Sequence, residues 1–67
     1  MVKLEDIREG STVMVRGNFG QGFAVKGVVE GVHSNIKNGR PGIDYTSVGA
    51  TSGNWAYLDQ VTKVVTY

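Results

Sequence analysis

The chain has 67 residues with ten glycines, one proline and no cysteine, and its formal net charge is +1. A chain of this length forms one domain with a small core, so we expect a single domain over residues 1–67. The lack of cysteine excludes a disulfide framework and a thiolate zinc site. No apolar run approaches the roughly 20 residues that span a bilayer, and the N-terminus has no signal-peptide pattern. We therefore expect a soluble cytoplasmic protein that does not contact a membrane.

The first predicted element is a short turn. Leu4 and Ile7 lie three residues apart, as in a single helical or 3₁₀ turn that covers one end of a small core. Apolar and polar residues then alternate, with Val13 and Val15 on one face, which is typical of a half-buried strand. A glycine-rich loop is predicted over residues 17–22.

A second strand is predicted over residues 24–32, and its apolar pattern changes phase near Glu30 and Gly31. A bulge or sharp bend at this point would let Val29 and Val32 both face the core. Small barrels need such a corner, because a flat sheet cannot close.

A loop is predicted over residues 35–42. It contains Asn38-Gly39, a strong hairpin signal between two apolar runs. Because Arg40, Pro41 and Gly42 follow it, we expect a turn of more than two residues.

The rest of the chain predicts three more short strands, at residues 43–48, 54–58 and 61–66, joined by turns at 49–54 and 59–60. Five short strands with frequent turn signals predict an all-β fold. A full sandwich does not fit in this length, so we expect a small five-stranded barrel with a short N-terminal turn. The buried residues expected from the alternation are Val13, Val15, Val29, Ile43, Leu58 and Val61.

Two segments resemble known small barrels. Val13-x-Val15, followed by glycines at 17, 20 and 22 and by Gly27-x-Val29, resembles the KOW motif of ribosomal and transcription-factor barrels. The first loop is longer than in that motif, and Phe19 stands where a basic residue is usual. The segment from Gly53 to Val61 is similar to the last strand, 3₁₀ turn and closing strand of Src-homology-3-like barrels.

Taken together, three segments look like a group of small bacteriophage proteins to which no function is assigned. They are Ile7–Gly10, Asn38–Tyr45 and Trp55–Val61. The resemblance covers nearly the whole chain, but its motifs are structural, so it implies a phage origin and no functional residue. If the protein is phage-encoded, its compartment is the host cytoplasm.

The residue types give little support to catalysis or to cofactor binding. The single histidine, His33, has no obvious partners for a Ser-His-acid arrangement, and the acidic residues form no convincing pair. Asp59 is expected to accept a backbone hydrogen bond within its turn. No set of metal ligands is evident, and the glycine-rich loop opens a strand rather than the helix that a phosphate-binding loop requires. We therefore expect a protein that is not an enzyme and that has no cofactor.

Aromatic and basic residues are the candidates for a binding surface. Trp55 and Tyr57 share one face of the fourth strand and are expected to be partly exposed together, with Ala56 and Leu58 facing the core. Residues 16–40 carry a net charge of +3, from four basic residues against Glu30. The predicted partner-binding residues are Arg16, Phe19, Phe23, Lys26, Lys37, Arg40, Trp55 and Tyr57.

Three interpretations of this surface remain open. The first is a non-catalytic phage accessory protein that binds a host or phage protein through loops and exposed aromatic residues. The second is a nucleic-acid-binding barrel that uses a mildly basic loop face with aromatic residues. The third is a homo-oligomer that pairs its C-terminal edge strand, with Val64, Val65 and Tyr67 as the contact segment. The alternative without a binding role is that Trp55 only covers an open end of the core.

Overall fold

A computed structural model describes residues 2–17 and 22–67 of the chain. It contains five strands and two 3₁₀ turns. The strands are β1 (Thr12–Arg16), β2 (Ala24–Lys37), β3 (Arg40–Ser47), β4 (Asn54–Tyr57) and β5 (Val61–Thr66). The 3₁₀ turns are Leu4–Asp6, before β1, and Leu58–Gln60, between β4 and β5. The predicted N-terminal turn and the predicted all-β class are confirmed.

All five strands are antiparallel and form one sheet in the order β4-β3-β2-β1-β5. Every strand contributes to one buried cluster, from Val13 on β1 to Ala56 on β4 and Val61 on β5. Neighbouring strands lie about 4.8 Å apart, so a flat sheet would hold its two edges too far apart to share a core. The sheet is therefore strongly bent. Within the described residues β4 and β5 are its edges and do not pair with each other, so this part of the chain does not form a closed barrel.

The bend predicted near Gly31 is present. Val29 pairs with Tyr45 and Gly31 pairs with Asp44, which leaves Glu30 as an extra residue on β2. This bulge restores the phase of the apolar pattern, because Val29 is fully buried and Val32 packs against the same cluster.

The turn between β2 and β3 is tighter than predicted. Lys37 pairs with Arg40, which leaves a two-residue turn in which Asn38 and Gly39 have φ angles of 56° and 74°. Two positive φ angles are the requirement of a type I′ hairpin. The prediction of a longer turn was wrong because Pro41 lies within β3, opposite a second irregularity between His33 and Lys37. A proline is accepted in a strand at such a bulge, where its missing N–H breaks no regular pairing.

The predicted core is largely correct. Five of the six residues are buried: Val13, Val15, Val29, Ile43 and Val61. Leu58 is only half-buried, because the chain leaves strand geometry after Tyr57 and places Leu58 in the second 3₁₀ turn, at the border of the core.

Buried polar groups join this turn to the sheet. The side-chain Oε1 of Gln60 accepts a hydrogen bond from the backbone N–H of Tyr57 at 2.9 Å, and its Nε2 donates to the backbone carbonyl of Arg16 at 2.8 Å. No signal in the sequence marked Gln60 for this role. Its contacts fix the second 3₁₀ turn, and so the end of β4, relative to the end of β1.

Candidate functional site

The structure divides the predicted site residues between the two ends of β2. Lys37 and Arg40 lie at the β2–β3 hairpin, beside Trp55 and Tyr57 of β4. Arg16, Phe23 and Lys26 lie at the start of β2 and at the end of β1, where Arg16 pairs with Ala24. Phe19 lies outside the described residues. The basic residues therefore do not form the single patch that the sequence suggested.

Trp55 and Tyr57 lie on the outer face of β4, opposite Asp44 and Gly42 of β3. Their rings are perpendicular, with centroids 5.1 Å apart, an edge-to-face contact that is favourable for aromatic pairs. Trp55 is 38% exposed, whereas Tyr57 is 6% exposed. The expected exposure of Tyr57 was wrong, because other side chains of the hairpin cover its ring.

Two cations and an amide hold this aromatic pair in place. The guanidinium of Arg40 lies 3.9 Å from the centre of the Tyr57 ring and also forms an ion pair with Asp59. The amide of Asn38 donates a hydrogen bond to the Tyr57 hydroxyl at 3.2 Å. The Lys37 ammonium lies 5.4 Å from the centre of the Trp55 ring, within the range of a cation–π contact. Asp59, expected to bond a backbone group, instead orients Arg40.

A shallow depression of about 590 Å³ lies beside Trp55 on the same outer face, lined by Glu30, Asp44, Gly53, Asn54 and Trp55. We call these five residues together the Trp55 surface. It combines one apolar wall with two carboxylates. The sequence did not reveal this combination, because the two acidic residues are far apart in the chain and only the strand register brings them together.

Neighbouring side chains orient both carboxylates. Glu30 accepts a hydrogen bond from the Thr46 hydroxyl at 2.7 Å, and Asp44 is hydrogen-bonded to His33 Nε2, also at 2.7 Å. The side chains of His33 and Asp44 are nearly half exposed. Among the described residues no hydroxyl group is hydrogen-bonded to this His–Asp pair.

Comparisons with protein-family models, with curated proteins and with solved structures found no match to this chain. Within residues 2–17 and 22–67, no helix is long and apolar enough to cross a membrane. The same part of the chain contains no group of three or more histidine or acidic side chains that could hold a metal ion.

Proposed function

We propose that this protein is a non-catalytic binding module of the Src-homology-3-like class, in which the Trp55 surface binds a segment of a protein partner. The observation that carries the proposal is that the Trp55 side chain is exposed and at the same time fixed by its neighbours. Trp55 is 38% exposed, and yet its ring is contacted by the perpendicular ring of Tyr57 and by the Lys37 ammonium. A rigid, exposed tryptophan loses little conformational entropy on binding, and tryptophan is among the residues that dominate binding hot spots.

The charge of the depression suggests the chemistry of the segment. Glu30 and Asp44 are both exposed enough to meet a ligand, and each carboxylate has further acceptor capacity beyond its bond to Thr46 or His33. A segment with lysine or arginine next to an apolar side chain would pair its cation with these carboxylates while the apolar group packs on Trp55. Such complementarity favours specificity and fast association.

The arrangement of the strands supports the Src-homology-3-like assignment. The segment from Gly53 to Val61 contains the strand β4, the second 3₁₀ turn and the start of β5, as its resemblance to those barrels implies. The returning strand β5 pairs with β1. The wider proposal is that the protein is a phage accessory protein that acts in the host cytoplasm on a host or phage protein.

Affinity capture from a bacterial lysate, read by mass spectrometry, tests the proposal. Trp55→Ala should abolish the capture of a partner that the wild-type protein retains, with a loss of about 2 kcal/mol or more for a hot-spot truncation. Val48→Ala is the control, since Val48 is an exposed apolar residue outside the Trp55 surface. Capture that is equally strong with Trp55→Ala would refute the proposed site.

The proposed pairing of Glu30 and Asp44 with a basic segment has a separate test, which uses the captured partner. Glu30→Gln and Asp44→Asn preserve side-chain shape and remove the charge. Each should weaken binding, and the difference from wild type should shrink as salt rises, because salt screens exposed charges. If both variants bind as tightly as wild type at low salt, the partner segment is not basic.

A further inference from the structure

A second charged surface lies on the outer face of β2, β1 and β5. Met14 of β1 pairs with Lys26 on one side and with Lys63 on the other. Side chains of directly paired residues lie on the same face of a sheet, so the two lysines flank Met14. Arg16 is two residues further along β1 and therefore shares this face. We call Arg16, Lys26 and Lys63 the basic face.

The side chains of the basic face are exposed and form no salt bridge within the described residues. The nearest carboxylate along β2 is that of Glu30, beyond Val28, and it is bonded to Thr46 on the side of β3. The carboxylates of Glu30 and Asp44 thus lie on the β3 side of the sheet, away from the basic face. Adjacent strands are about 4.8 Å apart, so the two lysines originate about 10 Å from each other across the sheet.

Phe23 lies beyond the end of the basic face: it immediately precedes Ala24, the residue that pairs with Arg16, and it is outside β2, so strand alternation does not place its side chain on that face. Its side chain is 94% exposed, so the ring is accessible for stacking by a ligand. The backbone beneath this end is fixed, since the Arg16 carbonyl accepts the hydrogen bond of the buried Gln60 side chain. A row of cations with an exposed aromatic ring at its end matches the pattern by which proteins bind single strands, with phosphates on the cations and bases stacked on the ring.

We propose that the basic face is a binding site for single-stranded nucleic acid, with phosphates over Arg16, Lys26 and Lys63 and with a base stacked on Phe23 beyond the end of this face. This site is separate from the Trp55 surface and does not depend on it. Only Lys63 was not suggested by the sequence, because the pairing of β5 with β1 decides its position. Lys37 and Arg40 do not belong to the site, since they contact Trp55 and Tyr57 at the other end of β2.

Fluorescence anisotropy with a labelled 20-mer of thymidine tests the proposal. Three phosphate contacts give a slope of about −2 for log affinity against log salt on a single strand, so raising salt from about 50 to about 200 mM should weaken binding about 20-fold. Removal of one cation, by Lys26→Ala or Lys63→Ala, should reduce this factor to about 7-fold. Phe23→Ala should weaken binding about 5-fold or more at constant salt.

Lys37→Ala is the matched control and should retain both the affinity and the salt slope of the wild-type protein. All substituted residues are exposed, and the melting temperature of each variant verifies that it folds. The proposal is overturned if the wild-type protein does not bind the 20-mer at low salt, or if Lys37→Ala weakens binding as much as Lys63→Ala. Tighter binding to a duplex of the same length, or binding only to anionic lipid vesicles, would also overturn it.

Discussion

The substitution Val29→Ala tests the bulge at Glu30 and the core together. Val29 is 1% exposed, so the change removes two buried methyl groups from the centre of the core. At about 0.8 kcal/mol for each buried carbon, plus a term for the cavity that remains, the expected loss is about 2 kcal/mol. The whole domain is expected to be stable by only about 3–5 kcal/mol, so this loss is a large fraction of the total.

The neighbouring residue provides the control. Val28 lies on the opposite face of β2 and is 39% exposed, so Val28→Ala makes the same chemical change at the surface. For a domain of this size, 1 kcal/mol corresponds to about 4–8 °C in melting temperature. Thermal denaturation followed by circular dichroism should show a decrease of about 8–16 °C for Val29→Ala and less than about 4 °C for Val28→Ala. Equal decreases for the two variants would refute the assigned faces of β2.

Three further predictions concern glycine positions and a buried tyrosine. Gly42→Ala should lower the free energy of unfolding by about 1–3 kcal/mol, because the added carbon would overlap the Ile36 side chain and the Ala56 carbonyl. Chemical denaturation of the variant and of the wild-type protein measures this difference. Equal stability would contradict the close approach of β4 to Gly42. Gly39→Ala should cost about 1–2 kcal/mol, since its φ of 74° is unfavourable for residues with a Cβ, and an unchanged urea midpoint would argue against the type I′ turn. Burial raises the pKa of Tyr45 above its usual 10.0, so the folded state favours the neutral phenol. The resulting contribution to the free energy of unfolding is complete below pH 10 and is lost as the pH rises through the folded-state pKa. Stability should therefore fall above about pH 10 in the wild-type protein and fall less in Tyr45→Phe, and identical profiles would be inconsistent with a buried phenol.

The alternation of residues was sufficient to predict which face of most strands is buried, because side chains in a strand point to opposite faces with a period of two. Val13 and Val15 illustrate this on β1. The phase change at Glu30 and Gly31 also predicted the bulge, since no regular strand could bury both Val29 and Val32. These are local properties, and the sequence contains them directly.

The neighbours of each residue across the sheet were decided only by the tertiary structure. The strand alternation predicted that Tyr57 is partly exposed, but the tight Asn38-Gly39 turn brings Arg40 over its ring, and the residue is buried. In the same way, the register of β3 with β4 brings Asp44 beside Trp55, and the return of β5 brings Lys63 beside Met14. The composition of both proposed sites therefore depends on strand pairing, which joins residues that are distant in the chain and leaves no local signal in the sequence.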